Sequence, residues 1–127
     1  MVFDKDFLDQ LLEKASVSER LRQNFDLRNS PDDTSQRMLN ALQPGTVVPI
    51  HNHADTAETV ICLSGKLEEI FYKTSDADNS MFEEVSRHLL CPNEGKYGMQ
   101  ITAGVWHSIN VIEPSVIFEA KDGAYKG

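Results

Sequence analysis

Hydrophobic residues recur at helical spacing only at the start of the chain. Phe3, Phe7, Leu8, Leu11 and Leu12 share one face with charges between them, which predicts a helix over residues 3–14 with Asp4 as its cap. Ser16, with Glu19 three residues on, has capping-box spacing and predicts a second short helix. The segment 28–33, RNSPDD, is rich in turn formers and ends the helical part. From Thr34 the pattern changes to short alternating or wholly apolar runs. Strands are predicted over 35–42, 46–50, 57–63, 66–73, 82–90, 97–101, 107–112 and 116–120. Pro44-Gly45, Ser64-Gly65, the polar stretch 74–80, residues 92–95, Ala103-Gly104 and Pro114 supply the turns between them. Short strands at this spacing predict an antiparallel sandwich or barrel.

The expected organisation is one domain: an N-terminal helical segment, residues 1–30, packing on a β-barrel formed by residues 31–127. The run TVICL at 59–63 is apolar on both faces. If Glu58 points into the barrel, Val60 and Cys62 follow it inward, and Ile61 and Leu63 point outward and need cover. The N-terminal helices are one source of cover and a second copy in a homodimer is the other.

Composition narrows the partners. The chain has 127 residues and a formal charge of −8, with no basic stripe of the kind a nucleic-acid surface needs. The same acidity disfavours an anionic membrane surface, and no apolar run approaches the ~20 residues of a membrane span. The first residues interleave acidic and apolar side chains rather than forming a secretory signal, so a cytoplasmic protein is expected. Cys62 and Cys91 are too few and too far apart for a disulfide framework and read as core thiols.

The chemistry concentrates in one stretch, Gly45-TVVPI-His51-Asn52-His53-ADTA-Glu58-TVICLS-Gly65. In an extended chain His51 and His53 face the same side with Cα atoms about 6–7 Å apart, close enough for two imidazoles to converge on one ion. Glu58 follows a short polar connection from which its carboxylate can return to the same point, as a ligand or as a hydrogen-bond partner of a ligating histidine. Downstream, Gly98-MQITA-Gly104-VW-His107 can deliver a third imidazole from another strand. Three of the four histidines fall in these two units, and three imidazoles with one carboxylate leave coordination positions open. His88 has no such spacing and reads as structural. Trp106, beside His107, is expected on the other face, in the core. Arg20, Arg22 and Arg28 form a loose basic group that reads first as a solvated face and second as a hold for an anionic group.

The two units resemble the motifs of the cupin superfamily. The first motif is matched at Gly45, His51, His53, Glu58 and Gly65. The second is matched at Gly104 and His107, while Lys96 stands at its opening glycine, Thr102 at its proline and Val111 at its asparagine. The chain as a whole is similar to the WbuC-like branch, through RLRQNFDLRNSPDD, QRMLNALQPGT, ITAGVWHSI and EAKDGAY. This resemblance implies a mainly β, single-domain cupin, a double-stranded β-helix or jelly-roll barrel, with a short N-terminal helical segment. It also implies a metal-binding protein associated with bacterial polysaccharide gene clusters.

The expected cofactor is one divalent ion (zinc, iron, nickel or manganese) held by His51, His53, Glu58 and His107. The expected function is a metal-dependent enzyme acting on a small polar molecule such as a sugar or sugar nucleotide. Arg37 and Tyr72, on predicted strands, are the weak candidates for its acid or base. The rival readings are a non-catalytic module that uses the metal to bind a carbohydrate or other small ligand, and a purely structural metal.

Overall fold

The computed structural model describes residues 1–75 and 81–123. One helix, α1 (Lys5–Ser16), precedes six strands: β1 (Arg22–Asp26), β2 (Ser35–Leu42), β3 (Glu58–Thr74), β4 (Phe82–Leu90), β5 (Gly98–Ile101) and β6 (Trp106–Asp122). All pair antiparallel, in the order β1-β2-β6-β3-β4, with β5 on the first residues of β3. Part of the expected turn at 74–80 lies outside the described residues.

α1 begins where Asp4 accepts a hydrogen bond from the Phe7 amide at 2.9 Å. Its apolar face, Leu8, Leu11 and Ala15, packs on Leu39, Ala41 and Val116 from β2 and β6. The second helix expected from Ser16 is not formed. The Ser16 hydroxyl instead donates to the Glu13 carbonyl at 2.6 Å, inside α1. The chain turns at residues 18–20 and enters β1, which pairs along β2 from Arg22–Leu42 to Asp26–Met38. The pairing places Phe25 edge-on against Phe7, ring centroids 5.3 Å apart. Tertiary pairing thus overrides a local capping signal.

Two expected breaks do not break the sheet. The runs at 57–63 and 66–73 are one strand, and so are those at 107–112 and 116–120. They bend together where β3 meets β6, with register shifts between Cys62 and Leu67. Gly65, at φ +96°, sits against the backbone of Pro114 and Ser115. The buried Ser115 hydroxyl accepts the Lys66 amide proton at 2.9 Å and donates to the Glu113 carbonyl at 2.7 Å, so the bulge leaves no orphan there. The strand expected at 46–50 is absent. Pro49 lacks a ladder donor, and this stretch runs as irregular backbone to a single bridge at His51.

The interior is divided along its length. Leu42, Val60, Cys62, Leu67, Leu90, Ile101, Val111 and Ile117 fill one end with apolar packing. Cys62 and Cys91 are buried free thiols, and burial pushes Cys62 up to about 11. Ile61 and Leu63 point outward and stay 37% and 38% exposed, since α1 packs on β1, β2 and β6 rather than on β3. Trp106 is not core: it is half-buried against Phe82, centroids 5.1 Å apart. Among the described residues no helix is long and apolar enough to cross a membrane.

The Gly65 bend supports a test. A Cβ at Gly65 meets the Pro114 carbonyl and Ser115 backbone, whereas one at Gly104 (φ +85°) meets nothing within 4 Å. Gly104→Ala should therefore cost about 1 kcal/mol from its left-handed backbone alone, and Gly65→Ala about 3 kcal/mol or more. Urea unfolding of the two variants checks the order.

Candidate metal centre

His51 and His107 come from distant stretches and meet through their backbones. The His51 amide donates to the His107 carbonyl at 3.0 Å, and the His107 amide donates back to His51 at 2.8 Å. Two further bonds hold the partner loop: Gly104 N–H to the His53 carbonyl at 2.8 Å, and the Asn52 side chain to the Gly104 carbonyl at 3.4 Å. The glycine that ends the second motif unit is thus part of the frame holding the first.

This frame gathers the imidazoles at tilted or edge-on angles. Ring centroids lie 4.2 Å apart for His51 and His107, 5.3 Å for His51 and His53, and 5.8 Å for His53 and His107. In both His51 and His107 the Nδ1 atom faces the carbonyl two residues back, Pro49 at 2.8 Å and Val105 at 2.9 Å. A proton on Nδ1 satisfies each carbonyl and leaves Nε2 as the free lone pair. Glu58 opens β3, paired to Ile101 and Lys121, and its Oε2 lies 3.0 Å from His53 Nε2 and 3.6 Å from His107 Nε2.

One donor atom from each of His51, His53, Glu58 and His107 lies within 4.8 Å of every other, so the four could hold a metal ion. Their electrostatics fit a cation. Burial works against an ionised Glu58, but hydrogen bonds from His107, His53 and Glu119 outweigh it and hold the carboxyl below the usual carboxylate range. Burial holds His51 below its ordinary value, against the pull of the Pro49 carbonyl. His107 is raised, because Glu58 and the Val105 carbonyl outweigh its burial. Hydrogen-bond donors thus offset the burial of the Glu58 carboxylate, and a cation at the same point would do so by its charge.

The cluster lines a cavity of about 700 Å³, which Arg20 in the turn before β1, Arg22 and Asn24 of β1, and Gln36 and Asn40 of β2 also line. Two carboxylates that sequence reasoning missed complete it. Glu69, on β3, is 1% exposed, and its Oε2 has no hydrogen-bond partner among the described residues. Burial, added to by Glu58 and opposed by His107, pushes it up to about 8. Glu119, on β6, accepts from Asn40 at 3.3 Å, and burial beside Glu58 raises it well above an ordinary glutamate. Glu68 and Glu69 are adjacent, and simple alternation from Glu58 sends Glu69 outward. The bulge near Gly65 reverses the parity, so Glu68 instead meets Arg87 and Asn110 on the outside. A glycine inside an apolar strand run was the available signal.

Arg37 and Tyr72 do not line this cavity. Arg37 faces away, binding Asp33 at 3.3 Å and the Leu27 carbonyl at 3.2 Å, and the Tyr72 hydroxyl meets Ser108 at 3.1 Å. His88 sits apart from the cluster, against Ser86 and Phe71. Arg20 and Arg22 line the cavity, Arg20 at an exposed position and Arg22 half-buried, while Arg28 pairs with Asp26 outside it.

Residues 3–83 match a family described as a domain of unknown function, DUF6016. The chain belongs to the DUF6016 family. No curated protein matches this DUF6016 chain in sequence. Solved structures match it in shape. CapF with the inhibitor 3-isopropenyl-tropolone has a TM-score of 0.66 at 20% identity, over 87% of this chain and 30% of CapF. The capsular polysaccharide assembling protein CapF from Staphylococcus aureus gives 0.62 at 19%, over the same shares of the two chains. KdgF from Halomonas sp. gives 0.62 at 15%, over 86% of this chain and 85% of KdgF. Oxalate oxidase with the substrate analogue glycolate gives 0.64 at 13%, over 88% and 56%. These neighbours are cupin-fold proteins, and the DUF6016 chain shares that fold while spanning under a third of CapF.

Glu69 gives this site a pH signature. Its folded value of about 8 stands above the ordinary 4.5, so the folded state holds a proton that the unfolded state releases between those limits. Stability is therefore lost as pH rises through that window. In metal-free protein Glu69→Gln should gain stability over wild type steadily from pH 5 to pH 8, read as the difference in urea midpoint.

Proposed function

We propose that this DUF6016 chain is a metal-dependent enzyme. It holds one divalent ion through His51, His53, Glu58 and His107 and acts on a small polar molecule such as a sugar or sugar nucleotide. The observation that carries the reading is the convergence of four ligand atoms within 4.8 Å on the wall of a cavity. Three imidazoles and a carboxylate suit zinc, iron, nickel or manganese, and leave positions for a ligand. The ion would supply Lewis acidity toward a carbonyl or hydroxyl group.

The chain's own residues do the rest. Nδ1 bonds to Pro49 and Val105 fix the two imidazoles and leave Nε2 free for the ion. Glu58 supplies the negative charge. Glu69 replaces Arg37 and Tyr72 as the candidate acid or base: it lines the cavity and holds its proton near neutral pH. The volume of about 700 Å³ suits a monosaccharide or a larger sugar derivative. A place in bacterial polysaccharide biosynthesis and a WbuC-like affiliation rest on the sequence resemblance. The likeness in shape to a capsular polysaccharide assembling protein supports the former.

Elemental analysis of protein purified without added metal should find about one divalent ion per chain, and a His51→Ala, His107→Ala variant far less. Equal metal content in both proteins, or none in the wild type, overturns the reading.

A further inference from the structure

The lining of the same cavity carries a second kind of chemistry. Arg20 and Arg22 sit two residues apart and both line the cavity, with Asn24 continuing the same face of β1. Their placement is built in. The Arg20 carbonyl accepts the Thr46 hydroxyl at 2.6 Å, and the Leu21 carbonyl accepts the Gln43 amide at 2.9 Å. Leu21 between them is the only non-glycine residue at positive φ, +55°, among those described. A leucine held in the left-handed region is strained, and surrounding structure must impose it. Here the strained residue sits between two arginines that face one cavity.

Arg28 pairs with Asp26 at 2.8 Å and Arg37 with Asp33 at 3.3 Å. The Arg20 guanidinium has no carboxylate partner among the described residues, although the chain is strongly acidic. Gln36, 4% exposed, and Glu69, 1% exposed, line the same cavity. Gln36 Oε1, Asn40 Oδ1 and Glu69 Oε2 are buried oxygens without a hydrogen-bond partner among the described residues, and all three residues line the cavity. Buried acceptors need donors, and ligand hydroxyls are donors of the right kind.

We propose that the cavity takes a small polyhydroxylated organic anion, a sugar acid or a sugar phosphate. Arg20 and Arg22 hold its charged group, and Gln36, Asn40 and Glu69 meet its hydroxyls. The proposal deepens the enzyme reading above and rests on it for the role of the ion. Guanidinium forks recognise carboxylate and phosphate through the same paired N–H bonds, so both anions fit the chemistry.

Isothermal titration of the full, metal-loaded chain with D-glucuronate, glucose 1-phosphate and D-glucose tests the proposal. At least one anion should bind about tenfold or more tighter than neutral glucose, and the tighter of the two identifies carboxylate or phosphate as the source. Arg20→Ala, at an exposed position outside the cluster, should weaken that anion about tenfold and leave both metal content and glucose binding unchanged. Arg22→Gln should do the same. Equal affinity for glucose and both anions, no binding of either anion at millimolar concentration, or wild-type anion binding by Arg20→Ala overturns the proposal. Repeating the titration after chelation separates the two readings. Anion binding that persists in Arg20-intact protein lacking a metal centre supports the arginine pair and counts only against the metal.

Discussion

The site depends on a reciprocal pair of backbone hydrogen bonds between His51 and His107. Residue 51 lies in irregular backbone, and residue 107 lies near the start of a long strand. Their mutual N–H···O bonds fix the distance between the two segments before any side chain is considered. Each imidazole then bonds the carbonyl two residues behind it, which sets ring orientation by the same local device on both segments. Neither device suffices alone. The local bond aims Nε2, and the long-range pair decides that both are aimed at one place.

Around that pair the strands change character along their length. β2 runs from Gln36 and Asn40 at the cavity to Leu42 in the apolar core. β3 carries Glu58 and Glu69 on either side of Val60, Cys62 and Leu67, and β6 passes from His107 through Val111 and Ile117 to Glu119. The polar end is expensive to bury, because carboxylates there lose hydration. Two different solutions appear. Glu58 stays ionised because His53 and His107 offset its burial, whereas burial drives Glu69 and Glu119 toward the neutral acid. The apolar end and the layer beneath α1 supply the packing that keeps such a cavity from collapsing.

The cupin fold hosts many chemistries, so shape alone assigns none to a DUF6016 chain. What distinguishes this cavity is its two kinds of lining: imidazoles with a carboxylate, and two arginines flanking a strained leucine. The first suits a cation and the second an anion. A ligand that spans them needs both a charged group and neutral oxygens, a narrower class than small polar molecules in general.

Much of the fold was legible in the chain itself. Strands β2 and β4 run over the expected residues 35–42 and 82–90, and α1 follows its apolar stripe and its Asp4 cap. The four grouped residues were legible for a similar reason. Two histidines at a two-residue spacing share a side in any extended chain, and glycines mark where the turns must fall. Tertiary structure decided what depends on parity and on remote partners. One bulge beside Gly65 turned Glu69 inward and Glu68 outward, a reversal that alternation counted from Glu58 cannot register. The pairing of Arg22–Asp26 with β2 converted an expected helix into the part of the cavity lining that carries Arg20 and Arg22. Local periodicity says which residues share a side. Only the path of the whole sheet says which side is inside.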